Sequence, residues 1–246
     1  MASFLKFTPH NVQDLAQDLN GKLRKCESLQ EASQIYVREL YDMFESSLAL
    51  VRFYLTVPYH KLLPQDQAFA KTIAENNQAG DQLQDDTIIL SLLGSYGSDP
   101  AWRDRYKSKN HLAIPLISSS FVKSTPMIAR LMDDMDLGLD WLDTRDTEIV
   151  VKRLGRLARI FYVPDASTFV DQESRLVVPA QDFVGAHHIK TVFGLGGGYV
   201  KGPFGSVIFF TKEDVNKPHA ELFLPLMTTF KLATTDYVIR NNIYPS

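Results

Sequence analysis

The sequence predicts an α+β fold, an antiparallel sheet with helices packed on it. Three observations carry that expectation. Apolar residues at helical spacing fill the two ends of the chain, and β-branched and aromatic runs dominate between them. Several strand-like runs follow one another in the C-terminal third. Regularly alternating strand–helix units, the mark of a doubly wound parallel sheet, are missing.

Thr8-Pro9 opens the first helix with a hydroxyl N-cap and proline at the first helical position. Val12, Leu15, Ala16 and Leu19 form one stripe behind it, and Gly21 is placed to close it. Ser28-Leu29-Gln30-Glu31 is a capping box, followed by Leu29, Ala32, Tyr36, Leu40 and Met43 at helical spacing as far as Phe44. From Ser47 the period changes, and residues 47–57 read as a strand that ends at Pro58. Phe69, Ala70 and Ile73 predict a short helix over 65–76, and the polar stretch 76–86 is a surface loop. Thr87 to Ser95 is the second strand and His111 to Ile117 the third. Pro115 points to an edge position for the third, because proline cannot donate to a ladder.

Thr125-Pro126 repeats the cap-plus-proline signal, and Met127, Ile128, Leu131, Met132 and Met135 share one face of a helix that stops near Gly138. An acidic stretch runs from Asp133 to Glu148, and an amphipathic basic helix is expected from Val150 to Arg159. Ile160 to Val163, Val177 to Val184, Ile189 to Leu195 and Ser206 to Thr211 are expected strands. Pro218 begins the last helix, with Phe223, Leu226, Met227, Phe230, Ala233 and Tyr237 along one side. No repeat or linker interrupts the chain from Ser47 onward. The expected organisation is a helical lead-in over residues 1–27 and one domain over 28–246.

Composition narrows the function. The chain has 246 residues, 45% hydrophobic and 22% charged, which excludes the disordered class. It carries 26 basic and 29 acidic residues, so the whole-chain balance offers no basic footprint for nucleic acid. No apolar run approaches the ~20 residues of a membrane span, and the N-terminus lacks the pattern of a secretory signal. A cytoplasmic protein is expected.

Cys26 is the only cysteine, so an internal disulfide, a CxxC pair and a Cys-rich zinc site are all ruled out. Its place at a helix junction reads as structural. Gly194-Leu195-Gly196-Gly197-Gly198 lacks the Gly-Lys-Ser/Thr ending of a phosphate loop and leads into a strand, which predicts a β-hairpin. His187 and His188 are expected on a strand, pointing to opposite faces, as ordinary hydrogen-bonded residues. A metal there would need further ligands, for example His111. The acidic stretch lacks the spacing of a calcium loop, and no Gly-x-Ser-x-Gly elbow or other catalytic constellation is found.

Two stretches carry a resemblance. The first is Trp102-Arg103-Asp104-Arg105 with Ser108, His111, Ile114-Pro115-Leu116, Phe121-Val122 and Pro126 to Leu131. The second runs from Val178 to Val184 and Ile189 to Gly197, then through Phe204 to Phe210, Ala220-Glu221-Leu222-Phe223 and Lys231-Leu232-Ala233. Together they resemble the GAF-like sensory module found beside histidine-kinase or PAS segments in bacterial two-component sensors, over about Leu29 to Tyr237. The resemblance implies a central antiparallel sheet of about six strands, with N- and C-terminal helices on one face and a ligand on the other.

It further implies a ligand between the sheet and the helix from Pro126 to Met135, with Trp102, Arg105, His111, Met127, Arg130, Phe183 and His188 as lining residues. Arg105, Arg130 and His111 are the polar members suited to an anionic or hydrogen-bonding ligand. Methionine sulfoxide reductases of this fold need several cysteines and bilin photoreceptors a correctly placed one, and Cys26 fits neither. The expectation is a non-enzymatic sensory or regulatory homodimer that binds an unidentified small molecule. Because the chain ends at Ser246 without a kinase segment, it would signal in trans to a histidine kinase or other signalling protein. The alternative is a protein–protein adaptor using its terminal helices, with no small ligand. No cofactor is named by the sequence.

Overall fold

Thr8 caps the first helix reciprocally: its Oγ1 accepts the Asn11 N–H at 3.3 Å, and Asn11 Oδ1 accepts the Thr8 N–H at 3.0 Å. In the computed structural model, which describes residues 2–108, 110–144, 158–200 and 202–245, α1 spans Pro9–Leu23 and α2 spans Leu29–Met43. The first helix runs past Gly21, whose surroundings are open solvent. Buried Leu23 and the bridges from Lys22 to Asp18 and Glu39 hold that last turn. At the second helix Ser28 Oγ accepts the Glu31 N–H at 3.2 Å, but the Glu31 carboxylate takes the Glu27 N–H instead of the Ser28 N–H.

Six strands make one sheet: β1 (Leu48–Pro58), β2 (Ile88–Gly97), β3 (Ala113–Pro115), β4 (Arg159–Val163), β5 (Val192–Gly198) and β6 (Phe204–Thr211). Their order is β3-β2-β1-β6-β5-β4, and every neighbouring pair is antiparallel. β3 is an edge strand, as Pro115 requires. The glycine run is a hairpin arm, with Gly196, Gly197 and Gly198 paired to Ser206, Gly205 and Phe204. Between β1 and β2 the register slips after Phe53↔Gly94, so that Tyr54 faces Leu92 and Leu93 is extra. The slip brings Gly94 under α2, where a Cβ would stand 2.6 Å from the Ser33 carbonyl oxygen.

Both faces are covered, which is why β1 and β6 are buried almost throughout instead of alternating. On the first face lie α1, α2 and α9 (Leu224–Ile239), around a ring cluster in which Phe4 stacks on Phe44 at 4.1 Å and Phe193 on Phe209 at 4.7 Å. The second face carries α4 (Ser119–Lys123), α5 (Pro126–Asp134), α6 (Asp140–Thr144) and α7 (Gln181–Ala186) over a separate core. Helix α3 (Pro64–Asn76) packs beside β3. Among the described residues no helix is long and apolar enough to cross a membrane.

Three expectations are corrected. Val177 to Val184 is not a strand. Pro179 cannot donate to a ladder, and the chain from Gln181 turns into α7. His187 and His188 therefore cap a helix instead of alternating across a sheet. Ile189 N–H reaches the Val184 carbonyl at 2.9 Å and His188 N–H the Gly185 carbonyl at 3.3 Å, with His188 left-handed at φ 53°. The final helix is broken into α8 (Lys217–Glu221) and α9, because Pro225 in an unbroken helix would clash with the carbonyl four residues earlier. The basic helix expected from Val150 to Arg159 lies outside the described residues, except for its last two positions, where Arg159 already belongs to β4.

Candidate functional site

Directly opposed residues of an antiparallel pair project to the same face. On the second face this rule places Arg52 of β1 across from Ser95 of β2 and Ile208 of β6, and Tyr54 across from Ser206. The result is a polar belt across the middle of an otherwise apolar layer. Arg52 is 8% exposed, Ser95 1% and Ser206 0%. Neither Arg52 Nε nor Ser206 Oγ has a hydrogen-bond partner. Arg38, Arg105, Arg130, Arg159 and Arg175 each meet a carboxylate within 4.0 Å, whereas Arg52 meets none among the described residues. Burial pushes the Tyr54 phenol up, and the charge of the neighbouring Arg52 guanidinium and its hydrogen bond to the phenol offset part of that shift. Desolvation first, and the Arg52 cation second, hold His111 low, at about 4, although this residue keeps surface open to solvent. Neutral imidazole is thus the form at pH 7. These groups can bind and orient; they contain no nucleophile paired with a base.

Next to the belt, Gly97 makes room for Trp102: a Cβ there would stand 2.7 Å from its ring and 3.2 Å from Leu50. Trp102 meets Phe183 edge-on at 5.4 Å and His187 at 4.6 Å, and Phe183 meets Phe210 at 5.4 Å. Two of the residues expected to line a site, Trp102 and Phe183, are therefore in contact, and His111 lies within the field of Arg52. His188 is exposed at the end of α7, and its neighbour His187 takes the place against Trp102. Arg130 pairs with Asp134 at 3.0 Å and lies over Phe169. Met127 is half-buried on α5. That helix ends directly on the sheet, where the Met135 sulfur would be 2.8 Å from a Cβ on Gly196.

Arg105 is buried in an ion pair, Nη2 to Asp66 Oδ2 at 2.5 Å, and its Nε donates to the Leu92 carbonyl at the edge of β2. Asp66 comes from α3, so this arginine ties a helix to the sheet edge. Burial raises the Asp66 carboxyl, with Arg105 opposing. Cys26 is buried at the end of α1; desolvation, with Glu31 behind it, raises its thiol to about 11. It is a protonated thiol at neutral pH, not a thiolate nucleophile.

No family model and no curated protein matches the chain. Among solved structures it is similar to the GAF domain of an Acinetobacter phosphoenolpyruvate-protein phosphotransferase, at 13% identity and TM-score 0.45, covering 91% of this chain and 92% of that one. It is also similar to a phycocyanobilin-bound GAF domain from a cyanobacterial phytochrome, at 11% identity and TM-score 0.49, covering 94% and 97%. A third is the photosensory core module of a Stigmatella aurantiaca phytochrome, at 9% identity and TM-score 0.43, covering 93% of this chain and 36% of that one. The chain itself has the expected α+β architecture: a six-stranded antiparallel sheet, both terminal helices on one face and a separate helical layer on the other.

Proposed function

We propose that this protein is a non-enzymatic sensory or regulatory domain that binds a small molecule on the second face of its sheet. The supporting observation is the belt of Arg52 and Ser206 in the middle of that face, where the buried Arg52 Nε and Ser206 Oγ have no hydrogen-bond partner and Arg52 meets no carboxylate among the described residues. Buried donors of this kind cost free energy unless something accepts from them. A ligand held there would answer them. Its presence would be passed to a signalling protein, such as a histidine kinase, through the helices of the opposite face. A thermal-shift screen of metabolites, nucleotides and haem, with native mass spectrometry of the purified protein, tests this reading. Stabilisation by one compound class supports it. No stabilisation and no retained molecule would sink it.

A second reading has its own support. The outer side of α9 presents Pro225, Thr228, Leu232, Thr235 and Ile239 at alternating spacings of three and four, and Leu232 and Ile239 are 66% and 75% exposed. Such a stripe suits a homodimer or adaptor interface. Removing residues 1–27 would strip Phe4, Leu15, Leu19 and Leu23 from the core, so surface substitution is the cleaner experiment. Leu232→Asp with Ile239→Asp should convert a dimer to a monomer in sedimentation. An unchanged oligomeric state would remove this reading.

A further inference from the structure

We propose that Arg52 anchors the carboxylate of a small acid with an aromatic or apolar body. This deepens the reading of the second face as a ligand site and rests on it. A buried guanidinium is tolerated when paired, and its desolvation stays unanswered when it is not. Other buried atoms also lack partners, among them Arg105 Nη1 and Asp66 Oδ1. There, however, the charges already answer each other across 2.5 Å. At Arg52 the missing partner is an anion.

The neighbours decide which anion. Ser95, Ser206 and Tyr54 carry neutral hydroxyl groups, and His111, within the field of Arg52, is uncharged at pH 7. One positive charge answers one negative charge. A phosphate dianion would leave a second charge unpaired in an apolar layer, whereas the planar guanidinium fork matches the two oxygens of a carboxylate. Leu50 stands two residues from Arg52 on the same face and touches the Gly97–Trp102 junction. From there the rings of Trp102, Phe183 and Phe210 continue the surface. That wall suits the body of the acid.

The test uses the full chain. Benzoate and phenylacetate, their uncharged amides, and inorganic and phenyl phosphate are titrated against wild type, Arg52→Met and Arg52→Lys by thermal shift and calorimetry. The acids should bind wild type, with the amides weaker by about tenfold or more, the effect of losing one charge-assisted contact. Arg52→Met should lose the preference for acid over amide. Its melting temperature without ligand should equal or exceed that of wild type, because an unpaired buried charge has been removed. Arg52→Lys should keep a reduced preference. Arg52→Gln supplies the same comparison should the methionine variant not fold. Equal affinity for acid and amide, a preference that survives in Arg52→Met, tighter binding of phosphates than carboxylates, or no binding of any probe would each overturn the proposal. Native mass spectrometry separates the two levels: an uncharged molecule retained from the cell leaves the ligand site standing and removes the carboxylate.

Discussion

His188 bears a conformational cost that glycine would not. It occupies the left-handed position closing α7, with both of the motif's hydrogen bonds formed by backbone, and its side chain is exposed. His188→Gly should therefore raise stability by roughly 0.5–1 kcal/mol, read as a higher midpoint in urea at unchanged slope. Arg105 and Asp66 predict the opposite outcome. Breaking the pair from either side, by Arg105→Met or Asp66→Leu, should cost roughly 3–5 kcal/mol. The double variant should lose less than the sum of the singles by about 2 kcal/mol, and a fully additive result would contradict the pairing. The sequence marks Arg105 as a candidate ligand-binding cation inside a family-like stretch. Its role is set by a carboxylate 39 positions away, a separation no local pattern reveals. Arg52 did leave a signal, as the single charge within an otherwise apolar strand.

At the level of elements, helix starts were the most legible feature. Thr8, Ser28 and Pro126 mark them through local chemistry, and the observed helices begin beside each. Strand ends and helix breaks were less so, because they depend on partners. Val177 to Val184 has strand-like composition, yet Pro179 and the closure of α7 override it. Pro225 splits the last helix although the apolar spacing runs on through it. The slip in β2 is of the same kind. Gly94 lies under the Ser33 carbonyl of α2 with no space for a methyl group. Gly94→Ala should push α2 off the sheet at a cost of about 1–3 kcal/mol. The drop in melting temperature should be accompanied by faster amide exchange in α2. An unchanged melting temperature would mean that the helix has slack this packing does not indicate.

At the scale of the molecule, the order of helical and strand-like segments was enough for the α+β class and the antiparallel sheet. The polar belt was not legible, because it is assembled from three strands whose register the sequence does not state. That assembly has a kinetic corollary. The sheet consists of two local meanders, β1-β2-β3 and β4-β5-β6, joined only along β1 and β6. Each meander can form from near neighbours. The seam joins Leu55 to Gly205, residues from distant parts of the chain, so its closure bears the greatest loop entropy and belongs late in folding. Arg52 and Ser206 sit on opposite sides of that seam. An occupant bridging them would act as a latch on the closed sheet, lengthening the lifetime of the folded state while leaving the rate of folding nearly untouched.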